Sequence, residues 1–252
     1  MERIKVSAVI ITLNEENNIQ ECIDSVRDVV DEIVVADSFS TDKTEEICRK
    51  NGIRFLQHHW EGHGKQKNWA NCQASYDYIL SLDADERISD GLKEAISAIK
   101  KRWLSDVYSV NRLTYFHGRK IRYGFYPDRQ LRLFDRRKAQ WNSTFHDRII
   151  INKGIKLKHI NKDILHFANK NIHELVDTLN NNSTLFAQDR IDLGKPSIFK
   201  LIFSPIFSFI KTYFLKLGFL EGVFGLIICV NMAHYRFLKY AKRIEYYKTK
   251  KS

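Results

Sequence analysis

The sequence predicts an α/β protein: a mostly parallel sheet flanked by helices, followed by an amphipathic, membrane-associated helical tail. Three observations predict it. Strand-length apolar runs alternate with amphipathic helical patterns through the first hundred residues. Two of those runs end on acids, one at Asp37 and one at Asp83, Asp85 and Glu86. And the positive charge collects at one end of the chain.

A chain of 252 residues holds one large domain, or a domain with an appendage. The net charge is +11, and its distribution decides what it means. From residue 195 onward there are 11 Lys and Arg against 2 Asp and Glu, whereas the first 194 residues carry 30 against 28. A basic tail meets nucleic acid or an anionic membrane. Here the lysines are interleaved with long apolar runs, which favours the membrane and argues against nucleic acid. Cys22, Cys48, Cys72 and Cys229 form no CxxC pair, and three fall on apolar helix faces, so they read as free thiols of a reducing compartment. The first apolar run is short and passes straight into Asn14-Glu15-Glu16, unlike a signal peptide, so the catalytic part is expected in the cytoplasm.

Val6–Leu13 is a β-branched run of strand length. After the polar Asn14–Asn17, Ile19, Cys22, Ile23, Val26 and Val30 recur at helical spacing. Glu32–Asp37 is a second strand, and Asp42 and Glu45 carry the spacing of a capping box for a second helix. Ile53–Leu56 is a short third strand, followed by the helix that carries Lys65, Lys67 and Trp69. Tyr78–Leu82 is a buried strand whose tip bears Asp83 and Asp85. In open α/β sheets ligands bind at such C-terminal tips, and two carboxylates one residue apart suit a hard divalent cation able to hold a diphosphate. Strands alternating with helices argue for parallel pairing.

Leu92, Ala95, Ile96 and Ile99 mark a further helix, and Asp106–Leu113 a strand. An Arg- and aromatic-rich segment follows, then the polar loop Trp141–Arg148, the strand Ile149–Ile151, and a helix through Ile172, Leu175, Leu179 and Phe186. Gly194-Lys-Pro196 is a stop signal and sets an expected boundary between a catalytic domain, 1–194, and a tail, 195–252. In the tail, Lys200, Lys211 and Lys216 interrupt runs of Phe, Ile and Leu. This pattern is that of helices lying on a bilayer, with lysines reaching anionic headgroups, and 217–230 is apolar enough to dip deeper. His58, His59 and His63 lack a fourth ligand at zinc spacing and are assigned to a mobile loop beside the ligand.

Thr12-Leu-Asn-Glu15, Ala36-Asp-Ser-Phe-Ser-Thr-Asp42, Gly64-Lys-Gln-Lys-Asn68 and Leu82-Asp-Ala-Asp-Glu86, in that order, resemble the family-2 glycosyltransferases of the GT-A (Rossmann-like) fold. With Arg132-Leu-Phe134, Phe145-His-Asp147 and the tail segments Lys211-Thr-Tyr213, Leu217–Gly222 and Arg236–Lys242, the chain is most similar to the bacterial lipopolysaccharide core β-1,4-glucosyltransferases. The resemblance implies an inverting transfer of a hexose, glucose foremost, from a UDP-sugar to a membrane glycolipid at the cytoplasmic face of the bacterial inner membrane. The acceptor it implies is the lipopolysaccharide inner core; the alternative is a polyprenyl-linked glycan of capsule or O-antigen. It implies a nucleotide-sugar-binding part, 1–104, and an acceptor-side part, 105–194.

Transfer needs a held nucleotide, a neutralised leaving group and a deprotonated acceptor hydroxyl. Thr12, Asn14, Glu15 and Asp37 are expected to line the uridine pocket. Asp83 is expected to contact ribose or metal, and Asp85 to ligate Mg²⁺ or Mn²⁺ across the diphosphate. Lys65 and Lys67, on a helix near the rim, and Arg129 and Arg132 are expected to supply positive charge to the diphosphate or acceptor. Asp147 is the candidate base, where the subfamily more often has Glu, and Asp128 and His146 are held in reserve.

Overall fold

The computed structural model describes residues 3–142, 149–150, 154–190 and 195–249. They divide into two compact units, one of residues 1–113 and 128–168, the other of 114–127 and 169–252.

The first unit is built on a sheet whose strands follow the expected order. β1 (Val6–Thr12), β2 (Glu32–Asp37), β3 (Arg54–Gln57) and β4 (Tyr78–Asp83) alternate with helices α1 (Ile19–Val26), α2 (Thr44–Lys50) and α3 (His63–Gln73). Then come β5 (Glu86–Ile88), α4 (Asp90–Lys101), β6 (Val107–Phe116), β7 (Arg119–Lys120), β8 (Asp128–Asp135), β9 (Gln140–Trp141), β10 (Ile149–Ile150) and β11 (Leu157–Asn169). The strand order is β3-β2-β1-β4-β8-β6-β11-β5, with β7 paired to β6 and β9–β10 a separate ribbon. The β1–β2, β1–β4 and β2–β3 pairs are parallel, as βαβ units require. The β4–β8, β6–β8 and β11–β5 pairs are antiparallel, so the sheet is mixed rather than mostly parallel.

Period-two alternation buries both faces. Val6, Ala8 and Ile10 of β1 pack with Ile19, Cys22, Ile23 and Val26 of α1 and Leu92 and Ile96 of α4. Val9 and Ile11 face the opposite way, onto Ala70 of α3 and Ala74 just after it. The capping box does not form between Asp42 and Glu45. Asp42 instead accepts from the backbone N–H groups of Thr44 and Glu16, and Glu45 pairs with Arg49 at 2.7 Å. Cys22, Cys48 and Cys229 are buried free thiols, and Cys72 is exposed and free.

The second unit holds α5 (Ile172–Asp189), α6 (Ile198–Phe209), a π-helical continuation Ile210–Leu215, a 3₁₀ turn Gly218–Glu221 and the long α7 (Gly222–Thr249). The expected boundary at Pro196 falls inside it, because α5 packs on α7. Lys242 Nζ donates to the Asn180 carbonyl at 2.8 Å, and buried Lys239 lies 3.6 Å over the Phe186 ring. The segment 114–127 belongs here too. Glu221 accepts from the N–H groups of Arg122 and Tyr123, and Phe116 and Ile121 pack with Leu175 and Ile228. By length and composition, Ile198–Leu215 and Gly218–Thr249 are each long and apolar enough to cross a membrane.

A Cβ at Gly225 would lie 2.0 Å from the backbone oxygen of Gly218, so the start of α7 and the 3₁₀ turn touch through bare backbone. In an open helix Gly→Ala stabilises by roughly 1 kcal/mol. Here Gly225→Ala is expected to destabilise by about 1–3 kcal/mol, because no rotamer relieves a backbone clash. Thermal unfolding checks it, and a raised Tm would contradict the packing.

Candidate active site

Strand register lines up the acids along one rim of the sheet. Thr12 stands beside Asp37, Asp37 beside Gln57, and Ile11 beside Asp83. With neighbouring strands ~4.8 Å apart, Asp37 and Asp83 lie two strands, roughly 10 Å, from each other.

The loops after β1 and β2 are stitched together. Asn14, in the left-handed region (φ 54°), donates its N–H to Ser40 Oγ at 2.8 Å and accepts from Thr41 N at 2.8 Å. Glu15 N donates to Thr44 Oγ1 at 2.9 Å, and the Glu15 carboxylate accepts from Asn18 at 2.7 Å. Asp37 is fully buried; it accepts from Ser40 N at 2.8 Å and from the Ser40 hydroxyl. Thr12 Oγ1 is buried with no hydrogen-bond partner and lies at the same level of the rim. Between these tethers sits Phe39, held at φ 64° with its ring exposed, a conformation that costs a non-glycine residue about 1–2 kcal/mol.

Asp83 is gripped from two sides. Lys67 Nζ lies 3.0 Å from Oδ1, and Arg132 Nη2 donates to Oδ2 at 3.0 Å. Both cations are 2% exposed. Arg132 also donates to the fully buried Glu86 at 2.5 Å, and Glu86 accepts the Asp83 N–H at 3.1 Å. The Trp141 ring lies 4.5 Å from Lys67 Nζ and 5.9 Å from the Arg132 guanidinium. Burial pushes the Asp83 carboxyl upward, but the charges of Lys67, Arg132 and His63 outweigh it and hold the group well below the usual carboxylate range.

Asp85 has different company. The β5–β11 pairing sets His166 opposite Glu86, and the Phe167 N–H donates to the Asp85 carbonyl at 2.9 Å. His166 Nε2 thereby comes within 3.3 Å of Asp85 Oδ2, while Asp85 Oδ1 is buried with no hydrogen-bond partner. Burial lowers the His166 imidazole, but the Asp85 charge and hydrogen bond raise it more. An unpartnered buried carboxylate oxygen beside an imidazole fits a divalent cation. A separation of 3.3 Å is close to the roughly 3 Å edge of an octahedron with ~2.1 Å bonds. Among the described residues no third His, Cys, Asp or Glu joins them, so the remaining ligands would come from a diphosphate and water. Asp83 Oδ1 likewise lacks a hydrogen bond, but Lys67 Nζ lies 3.0 Å from it as an ion pair, so Asp83, already between two cations, fits a metal less well than Asp85.

The remaining expected residues are spread out. Lys65 is exposed and pairs with Glu61 at 3.9 Å, whereas Lys67, one turn face away, is buried at the site. Arg129 is exposed. Asp128 accepts from Arg112 at 2.7 and 2.9 Å and from Gln130 at 2.9 Å, so both oxygens are taken. Asp147 and His146 lie outside the described residues. His58 stacks on Trp69 at 4.2 Å and shares a 2.7 Å hydrogen bond with Gln66, which anchors its loop. Sequence reasoning missed His166 and Glu86. The signal for Glu86 was its place in Asp83-Ala-Asp-Glu86, and for His166 it was a lone histidine near the end of a strand.

Residues 7–164 match the family model described as glycosyl transferase family 2, and the chain belongs to that family. It is therefore a glycosyltransferase. It is 32% identical over 254 residues to the lipopolysaccharide core biosynthesis glycosyltransferase LpsC of Rhizobium meliloti, covering 95% of this chain and 92% of that one. It is also 32% identical to an uncharacterised glycosyltransferase of Rickettsia typhi, over 94% of this chain and 86% of the relative. The mannosyltransferase PcManGT of Pyrobaculum calidifontis, solved in complex with GDP-Man and Mn²⁺, shares the fold with a TM-score of 0.58 at 16% identity, over 97% of this chain and 88% of that one.

Lys67→Met removes one of the two cations and leaves Asp83 half-paired. Breaking a buried pair costs 3–5 kcal/mol; with Arg132 still present about 1–3 kcal/mol is expected at pH 7. The depressed Asp83 pKa contributes stability that is present above the ordinary aspartate value and lost as pH falls below it. The unfolded chain's aspartate is common to both proteins, so the difference between wild type and variant shrinks only once pH falls through the variant's own Asp83 pKa. Denaturant unfolding at pH 7 checks the loss, and an unchanged stability would contradict the pairing.

Proposed function

We propose that this glycosyltransferase moves a hexose, with glucose the first candidate, from a UDP-sugar to the inner core of a membrane-embedded lipopolysaccharide, with inversion. The observation that carries the reading is the Asp85–His166 pair with its free buried oxygen, two strands from the Asp37 pocket. That separation suits a nucleotide laid along the rim, its base near Asp37 and its diphosphate at Asp85. The relative named for lipopolysaccharide core biosynthesis, alike over nearly its whole length, supports the acceptor.

Asp85 and His166 would hold Mg²⁺ or Mn²⁺, and an imidazole in the set favours Mn²⁺. When bound, the cation supplies charge that stabilises the departing diphosphate. Lys67 and Arg132 keep Asp83 ionised, so that its oxygens accept hydrogen bonds from ribose hydroxyls. Thr12 Oγ1 is free to meet the nucleoside. On the acceptor side a carboxylate takes the hydroxyl proton as the oxygen attacks the anomeric carbon and the bond to the diphosphate breaks. Asp128 is spent on Arg112, which leaves Asp147 as the base, with His146 beside it.

The second unit supplies the membrane surface. Ile198, Phe199, Ile202, Phe203, Ile206 and Phe207 are exposed at helical spacing on α6. An apolar stripe of this kind flanked by Lys200 and Lys211 suits in-plane binding to anionic lipid at the cytoplasmic face of the inner membrane.

Asp85→Asn is expected to lower transfer from a UDP-hexose by about a hundredfold or more while leaving the Tm within a few degrees, since several kcal/mol of charge stabilisation is lost but no core contact. Near-wild-type turnover in saturating Mn²⁺ would overturn the metal assignment. Phe203→Glu with Phe207→Glu is expected to abolish flotation with anionic vesicles while the protein stays folded. Undiminished flotation would remove α6 from the membrane surface. Truncation after Pro196 is a poorer test, because it strips α7 from α5.

A further inference from the structure

Phe39 follows β2 and His59 follows β3, so both stand at the side of the rim away from Asp83. Their rings lie 4.4 Å apart with a 31° tilt. Both side chains face solvent, Phe39 at 42% exposure. The platform beneath them is rigid. His58 N donates to the Asp37 carbonyl at 2.9 Å, and His58 itself is packed on Trp69. On the other side, the Ser40 and Thr41 backbone that follows Phe39 is tied to Asp37 and Asn14.

Glycine is the default residue at φ 64°, and Phe39 keeps a bulky ring there without burying it in a core. A strained residue on a rigid rim is a reason to look for a ligand. Asp37 presents carboxylate oxygens already engaged by Ser40, so edge contacts alone leave the face of a base uncovered.

We propose that Phe39, backed by His59, stacks on the nucleobase of the donor and is a binding residue of the nucleotide site. The proposal rests on the UDP-sugar reading above. Stacking needs an aromatic π-face, and it is tolerant of base edges, so Phe39 supplies affinity while the polar groups around Asp37 choose among bases.

The test is calorimetric titration of the full chain in Mn²⁺ with UDP and with 5,6-dihydro-UDP, whose base keeps its polar edge but loses its aromatic ring. Wild type is expected to bind UDP about tenfold more tightly than the dihydro analogue. Phe39→Gly, which relieves the left-handed strain, is expected to hold or raise the Tm, to weaken UDP about tenfold, and to bind the two ligands equally. If Phe39→Gly binds UDP as wild type does, or loses both ligands to the same degree with a lowered Tm, stacking is overturned and Phe39 is structural or idle. If wild type binds neither ligand, the nucleotide reading itself falls, and the stacking proposal with it.

Discussion

Lys67 and Arg132 hold Asp83 between them, and Arg132 reaches on to Glu86, so three buried charges and the half-buried Asp83 tie α3, β4, β8 and β5 at one point. Removing ions from water is costly, and burying them repays the cost only when partners are close and other bonds are satisfied. Here Glu86 also takes the Asp83 backbone N–H, and the Trp141 ring covers both cations. Trp141 is itself clamped by Asn68 through its N–H and carbonyl, which joins the β9 ribbon to α3. The network fixes the turn from which Asp85 projects.

From that constraint the division of labour in the first unit follows. The parallel half, β3-β2-β1-β4, ends at a rim where loops are cross-tied by Asn14, Ser40, Thr41 and Asp42. The antiparallel half carries Arg132 on β8 and His166 on β11 to the same rim. One acid of the pair is held between two fixed cations, and the other has only an imidazole beside it. Two carboxylates one residue apart thus differ in what they can bind, and the difference comes from neighbours, not from the acids themselves.

The strands and acids of the parallel half were legible because hydrophobic period and polar turns are local signals. Val6–Thr12, Glu32–Asp37 and Tyr78–Asp83 stand where the apolar runs place them. The antiparallel half was not legible in that way. His166 meets Asp85 only through the β5–β11 pairing, and no local period encodes a partner some eighty residues distant. From the sequence Lys67 reads equally as a rim cation or as part of a solvated face, because α3 has a polar inward face, with Gln66, Lys67 and Asn71 all buried. Pro196 lies inside the second unit and not at a unit boundary, since the α5–α7 packing is tertiary.

Pulsed electron paramagnetic resonance of Mn²⁺ bound with UDP, on protein labelled with ¹⁵N-histidine, measures most directly whether Asp85 and His166, and not Asp83, receive the metal. A coupling to imidazole nitrogen that is lost in His166→Gln is expected. Bound Mn²⁺ with no histidine coupling in the wild type would contradict it.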